Sequence, residues 1–419
     1  MSAADILPIL RSWLDARRAL ALPTRAAIEA RQARGLLHMR RGLAASPFYA
    51  PLRDRPFDDW PVIGKAEWMA DFDRINTVGL THAAALAHAE RAERERDFRP
   101  RLRGVTVGLS TGTSGRRGVF LVSDAERRLW AGVMLAALLR GNPLRPRRVA
   151  FLLRANSNLY GTAGFGPVRF RYFDLLQPWS DLTASLRAFA PEVLIAPASV
   201  LDLLARDGGL RPAQVVSVAE TLHEDEAARI TAAFGVAPEQ VYQATEGTLA
   251  LPCRLGRLHL NEAYLKIERD WIDRASGRFA PVVTDLNRLT QPVIRYRLDD
   301  IVTLDPAPCP CGAASHVVAR IEGRCDDICH LLAPSGPVPV FPDLLTRAVL
   351  AAAPDLAEFQ LQQTRPGAFA LALPPGVPMP DLGPALAALA AGLGAAPPVL
   401  TAAPPLQPGV KRRRVVRLS

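Results

Sequence analysis

Lysine is scarce in this chain: only Lys65, Lys266 and Lys411 stand among 51 basic residues, and arginine supplies the rest. A retained lysine is informative against that background, because an ammonium is a compact point donor that the guanidinium fork does not imitate. Cysteine is missing before position 253, and the five that follow make no disulfide framework, so metal binding or packing is the expectation. No apolar run approaches the roughly 20 residues of a membrane helix. The first turn of sequence, with Asp5, Arg11, Asp15, Arg17 and Arg18 among leucines and alanines, lacks the basic-then-apolar order of a secretory signal. A cytoplasmic location is therefore expected, and no internal repeat is present.

A length of 419 residues implies more than one hydrophobic core, and 49% hydrophobic with 22% charged residues is the balance of a globular protein. The net charge of +10 raises nucleic acid as a partner, with a zinc-stabilised nucleic-acid-binding protein as the alternative of another class. The arginines are scattered over every expected element, however, which argues against a dedicated basic face.

Residues 3 to 45 carry apolar positions at helical spacing, predicting one or two amphipathic helices. Residues 84 to 97 are Ala, His, Glu and Arg throughout and predict a solvated helix. Ser123 before an acidic first turn predicts a capped helix from Asp124. Short apolar strands at 149–153, 193–196, 214–218 and 240–242 then alternate with helices at 181–189, 199–205 and 224–234. Such alternation predicts a largely parallel sheet covered by helices. From Gly256 to Leu304 short strands and turns predict an antiparallel unit, and beyond about 330 a small Pro- and Ala-rich α+β region ends in Lys411-Arg-Arg-Arg. The expected division is a large domain over 1–325 and a small one over 326–419.

The segment Ser110-Thr111-Gly112-Thr113-Ser114-Gly115 lies between two strand-like runs, 104–109 and 119–122. Glycines let backbone N–H groups converge on an anion, and hydroxyls add donors without bulk, so this segment is a candidate polyphosphate cradle. A Walker-type loop is excluded, since no lysine follows and a strand rather than a helix comes next. Further on, Tyr242-Gln-Ala-Thr245-Glu246-Gly is expected at a strand end, where ligands of open α/β sheets sit. There Glu246 could hold magnesium and Tyr242 could stack on a base. Asp299 and Asp300 end a strand with carboxylates suited to ribose hydroxyls, and Gly323-Arg324-Cys-Asp326-Asp lies at the expected domain boundary.

In this order, Ser-Thr-Gly-Thr-Ser-Gly, Tyr-x-x-Thr-Glu, Tyr-Arg-x-x-Asp, Gly-Arg-x-Asp-Asp and a C-terminal lysine, the chain resembles the adenylate-forming superfamily of acyl-CoA synthetases. Ser46-Pro-Phe-Tyr, the Pro61 to Lys65 segment and Pro-Val-Ile-Arg-Tyr-Arg resemble its phenylacetate-CoA ligase branch, with relatives that adenylylate a deazaflavin coenzyme. The resemblance implies that Ser110 to Gly118 clamp ATP phosphates, Tyr242 packs on adenine, Thr245 meets the α-phosphate and Glu246 holds magnesium. It implies Asp300 on the ribose, Arg324 near ribose or phosphate, Asp326 as a hinge and Lys411 approaching the α-phosphate. Two departures stand out. Arg116 or Arg117 occupies the place of a common lysine, and Leu298-Asp299 leaves open which of Asp299 and Asp300 faces the sugar.

Cys253 and His259 form C-x5-H, and Cys309-Pro-Cys311 follows about fifty residues later. Three thiolates and an imidazole suit a closed, structural zinc; His316 is a possible substitute for His259, and Cys325 and Cys329 are competing thiols. The implied reaction is ATP-dependent activation of a carboxylic acid, aryl or small cyclic, followed by transfer to CoA or a carrier thiol. AMP transfer to a phenolic hydroxyl is the alternative. Asn156, Ser157, Tyr160 and Phe165 are candidate pocket residues, mixing polar and aromatic surface. The oligomeric state is not legible.

Overall fold

The structure, a computed structural model, describes residues 3–95, 97–109, 118–139, 145–153, 168–356, 358–406 and 413–418. The chain divides into two compact units. One comprises Met1–Asp270, Val282–Leu298 and Leu304–Ala319; the other comprises Trp271–Pro281, Asp299–Thr303 and Arg320–Ser419.

In the first unit the alternating segments form a five-stranded, wholly parallel sheet. Its order is Val168–Asp174, Arg147–Leu153, Val193–Ala196, Gln214–Ser217 and Glu239–Gln240. Because side chains alternate across a strand, consecutive residues feed opposite cores. Val149, Phe151, Val193, Ile195 and Val216 pack on Ala16, Ala19, Val133 and Ala137 of the helices Ala3–Ala19 and Asp124–Leu138. Ala150, Leu152, Leu194, Ala196 and Val215 pack on Leu182, Leu186, Leu201, Leu204 and Ile230 of the helices Trp179–Phe189, Ala198–Asp207 and Glu224–Phe234. A strand buried on both faces has no polar alternation, which is why Val193–Ala196 reads as a continuous apolar run.

The helix Asp124–Leu138 starts as its sequence demands: Ser123 accepts from the Glu126 N–H while Glu126 accepts from the Ser123 N–H, a capping box. Gly132 lets it cross Ala3–Ala19 closely, since a Cβ there would lie 2.4 Å from the Ser12 Cβ and 2.8 Å from the Trp13 nitrogen. The helix His82–Glu95 corrects an expectation. It is not solvated all round, because Ala85, His88, Ala89 and Ala92 fall on one buried stripe, and alanines at that spacing need no bulk to make a packing face.

The antiparallel hairpins expected after residue 250 are present: Gly247–Pro252 pairs with Leu258–Leu260, and Val282 and Val283 pair with Arg297 and Tyr296. In the second unit a four-stranded sheet runs Val399–Ala402, Ala368–Ala372, Gln360–Arg365, Val415–Arg417. The helices Pro342–Ala352 and Gly383–Gly392 contribute Leu345, Val349, Leu386 and Ala390 to a core with Leu361, Phe369 and Val415. The architecture is thus α/β with helix-covered parallel and antiparallel sheets plus a small α+β unit. Among the described residues no helix is long and apolar enough to cross a membrane.

Candidate active site and a cysteine–histidine cluster

The Ser110–Gly115 segment lies outside the described residues, as do Lys411 and the pocket candidates Asn156, Ser157, Tyr160 and Phe165. The strands on either side of the first segment, Thr106–Leu109 and Val119–Val122, pair antiparallel with Leu109 opposite Val119.

The Tyr-x-x-Thr-Glu motif sits differently from expectation. The parallel strand ends at Gln240, and after Val241 the chain enters the antiparallel sheet as Tyr242–Ala244, turning through Thr245 and Glu246 into Gly247–Pro252. Thr245 and Glu246 therefore occupy a hairpin turn, and the carboxyl end of the parallel strand lies before Tyr242. Tyr242 is buried, while Thr245 and Glu246 are half-buried.

Beneath this turn lies a polar cluster that the sequence reading missed. Arg288 is buried, and its Nη1 donates to the Thr245 carbonyl at 2.7 Å. Its Nη2 donates to Gln291 Oε1 at 3.3 Å, and the same oxygen accepts the Leu121 N–H at 2.8 Å. Gln291 Nε2 reaches the Val119 carbonyl at 3.5 Å. Glu126 closes the cluster: one oxygen accepts the Leu289 and Thr290 N–H groups at 2.7 and 2.8 Å, and the other accepts from Ser123. Asp285 is fully buried, and its Oδ2, with no hydrogen-bond partner among the described residues, would lie 3.5 Å from a Cβ on Gly247.

Burial sets the electrostatics of this cluster. It pushes the Asp285 carboxyl up to about 7, with the Arg288 guanidinium opposing the shift. It also lowers Arg288 from its ordinary value, while Glu126, Asp285 and Glu246 pull in the other direction. The signal in the sequence was Asp285-x-x-Arg288-x-x-Gln291 set between the apolar runs Pro281–Val283 and Pro292–Ile294, where an exposed loop needs no such flanks.

In the second unit Asp300 and Arg324 come together, with Arg324 Nε 3.9 Å from an Asp300 oxygen. Asp299 instead uses its carbonyl, which accepts the Cys325 N–H at 2.6 Å. Asp326 lies exposed on the short turn Cys325–Asp327, whereas its neighbour Asp327 is buried and accepts from Arg413 Nη1 with both oxygens at 2.8 Å. That pair, also missed, anchors the chain two residues past Lys411. The basic terminus is not a solvated tail there: Leu361 donates to the Arg414 carbonyl, and Val415 pairs in the sheet.

The cysteine–histidine prediction brings four residues into one place. Ligand atoms of Cys253, His259, Cys309 and Cys311 all lie within 4.8 Å of one another. The Cys253 and Cys309 sulfurs are 3.9 Å apart, and Cys311 Sγ is 3.6 Å from His259 Nε2. His259 Nδ1 lies 3.0 Å from the Ser315 carbonyl oxygen, leaving Nε2 aimed at the sulfurs. Burial lowers the imidazole from its ordinary value, favouring the neutral form a metal needs. His316 is engaged elsewhere, 2.9 Å from Glu262. Cys329 is buried in the core of the second unit, and neither it nor Cys325 belongs to this group.

The sequence matches no family model and no curated protein. Among solved structures the chain is similar to 2-hydroxyisobutyryl-CoA ligase in its postadenylation state in complex with 2-HIB-AMP. The identity is 16%, the TM-score 0.69, and the match covers 95% of this chain and 91% of that one. The chain shares the fold of that ligase. The same ligase fold is similar to an acyl acid amido synthetase in complex with 2,4-DB, at 13% identity and TM-score 0.56 over 94% of this chain and 89% of that one. It is also similar to ATP-bound MatB from Rhodopseudomonas palustris, at 14% identity and TM-score 0.51 over 74% and 66% of the two chains.

Proposed function

We propose that this protein activates a carboxylic acid with ATP to an acyl adenylate, releasing pyrophosphate, and then transfers the acyl group to CoA or another thiol. The observation that carries the reading is a fold shared over 95% of the chain with a ligase captured with its adenylate. The sequence motifs that the family resemblance assigns to phosphate, adenine, ribose and a mobile lysine occur in the order of that family and support the reading.

In this reading a carboxylate oxygen of the acid bonds to the α-phosphorus and the bond to the β-phosphate oxygen breaks. A thiolate then attacks the acyl carbon, and AMP leaves. Ser110, Thr111, Gly112, Thr113, Ser114 and Gly115 cradle the phosphates, Tyr242 packs on adenine, and Thr245 meets the α-phosphate. Asp300 and Arg324 take the ribose and phosphate region. Lys411 brings an ammonium to the oxygens on which charge grows, a preorganised donor of the kind that supplies a large share of such catalysis. Asp326 is the hinge between domains of 1–325 and 326–419 in this reading, a later boundary than the Ala319–Arg320 break of the compact units, and its exposure on a short turn suits that task.

Glu246 suits magnesium, being a half-buried carboxylate on a turn rather than a member of the core. Bound there, magnesium would neutralise phosphate charge. The acid is aryl or small cyclic, held in part by Asn156, Ser157, Tyr160 and Phe165.

The Cys253, His259, Cys309 and Cys311 cluster is a structural zinc site in this reading. Bond lengths of about 2.3 Å to sulfur and about 2.05 Å to nitrogen at tetrahedral angles require edges of about 3.8 Å and about 3.6 Å. The observed 3.9 and 3.6 Å support that assignment.

ATP–pyrophosphate exchange tests the reaction, run without CoA across aryl, heteroaryl and aliphatic acids with phenols as controls. Exchange with one class of acid is expected. Exchange with none, alongside AMP capture by a phenol, would replace acid activation by hydroxyl adenylylation.

A further inference from the structure

We infer that Arg288 is a positioning residue for the proposed adenylation, holding the Thr245–Glu246 turn and the strand that leaves the Ser110–Gly115 segment in one frame. The inference rests on the reading above. Its basis is the connectivity: one guanidinium donates to the Thr245 carbonyl with Nη1 and to Gln291 Oε1 with Nη2. Gln291 in turn binds both the Leu121 N–H and the Val119 carbonyl. Two side chains thus link a hairpin turn at 245–246 to a strand at 119–122, elements more than 120 positions apart in sequence.

Packing alone does not call for an arginine here. A buried guanidinium is costly to desolvate, and an apolar residue of similar volume commonly serves a core as well or better. Among the described residues, Arg288 directs its hydrogen bonds to a carbonyl and an amide oxygen, and its Nε has no partner. What the planar fork supplies is two fixed, divergent directions at once. Lysine, with one ammonium on a flexible stem, can reach either oxygen but cannot define the angle between them. The charge also lies close enough to Glu246, the proposed magnesium ligand, for the two to influence each other.

The test is steady-state ATP–pyrophosphate exchange on full-length Arg288→Lys, Gln291→Ala and the double variant beside the wild-type protein, with thermal melts of each. A positioning role predicts that Arg288→Lys raises the KM for ATP or lowers kcat by about tenfold or more, while the KM for the acid at saturating ATP stays within twofold. Gln291→Ala should move the same parameter in the same direction by less. The double variant should then be no worse than Arg288→Lys alone, because both break one bridge. If Arg288→Lys does not fold, the same parameter read from Gln291→Ala decides.

Unchanged ATP parameters in folded variants would overturn the inference. So would a uniform loss of activity that follows the folded fraction, or full rescue by lysine. Wild-type exchange with variants whose ATP parameters are unchanged contradicts the role of Arg288 alone, whereas a folded wild-type protein silent with every acid contradicts the parent reading and this inference with it.

Discussion

The Cys253–His259–Cys309–Cys311 cluster and the Glu126–Asp285–Arg288–Gln291 cluster lie in the same unit, and each ties hairpin turns to distant chain. The first gathers four potential donors into one place, all within 4.8 Å of one another and with two of their separations at 3.9 and 3.6 Å. The second has no centre: its bonds run in series from the Thr245 carbonyl through Arg288 and Gln291 to Leu121, with Glu126 clamping Leu289 and Thr290 alongside. A centred site derives its strength from whatever fills the centre and works in a closed shell. A serial site transmits position, so a fault in one link moves everything beyond it. The expected consequence is a division of labour in which the first cluster governs stability and the second governs catalysis.

Removing the proposed zinc should separate the two most strongly. Chelation, or Cys309→Ser, should lower the thermal midpoint by about 10 °C, the scale of losing several kcal/mol in a domain of this size. The exchange rate per folded molecule should stay unchanged. Calorimetry with elemental analysis checks this, and protein purified without zinc would remove the first half of the comparison.

Asp285→Asn tests the second cluster with the opposite sign. The folded carboxyl is raised to about 7 from an ordinary 3.8, so the folded state binds the proton more tightly. The cost of holding that group therefore grows as pH rises from about 4 to about 7 and is constant above, reaching on the order of a few kcal/mol. The groups facing it, Arg288 and Glu126, pull its value in opposite directions. The variant should gain stability over wild type at pH 8 and gain much less at pH 5, read by denaturant titration at the two values. A difference independent of pH would contradict a carboxyl held neutral by burial.

Glu126→Gln should cost about 1–3 kcal/mol. An amide keeps one acceptor oxygen and turns an N–H toward either Ser123 or the Leu289 and Thr290 donors. Equilibrium unfolding measures it, and a neutral result would mean that the clamp adds nothing to the serial site. The smallest effect is expected from Cys325→Ser. That residue lies outside the four-ligand group, so zinc content should not change.

The two clusters also differ in how far residue types betray them. Cysteine is rare in this chain, and C-x5-H with C-x-C is a distinctive spacing, so the grouping of these four residues was legible in the sequence. Arginine is abundant, and Arg288 is marked among the many others only by the apolar runs on either side of Asp285-x-x-Arg288-x-x-Gln291. The same contrast holds for the fold. Ser123 with Glu126 announces its helix, and the double-faced strands announce a parallel sheet, because local chemistry decides both. The transfer of the chain from one sheet to another at Val241 was not legible. Gln240 and Tyr242 are two residues apart, and their pairing depends on Ser217 and Ala250, which are distant in sequence. The helix at 82–95 was misread as solvated for a related reason, since alanine fits a surface and a tight interface equally well.

The central claim is that this chain joins AMP to a carboxylic acid. The most direct measurement is a single-turnover reaction of full-length protein with ATP labelled at the α-phosphorus, excess acid and no thiol, quenched with hydroxylamine. The account predicts one pyrophosphate and one acyl hydroxamate per labelled AMP released. Label remaining in ATP with every acid tried, or appearing on a phenol instead, would contradict it.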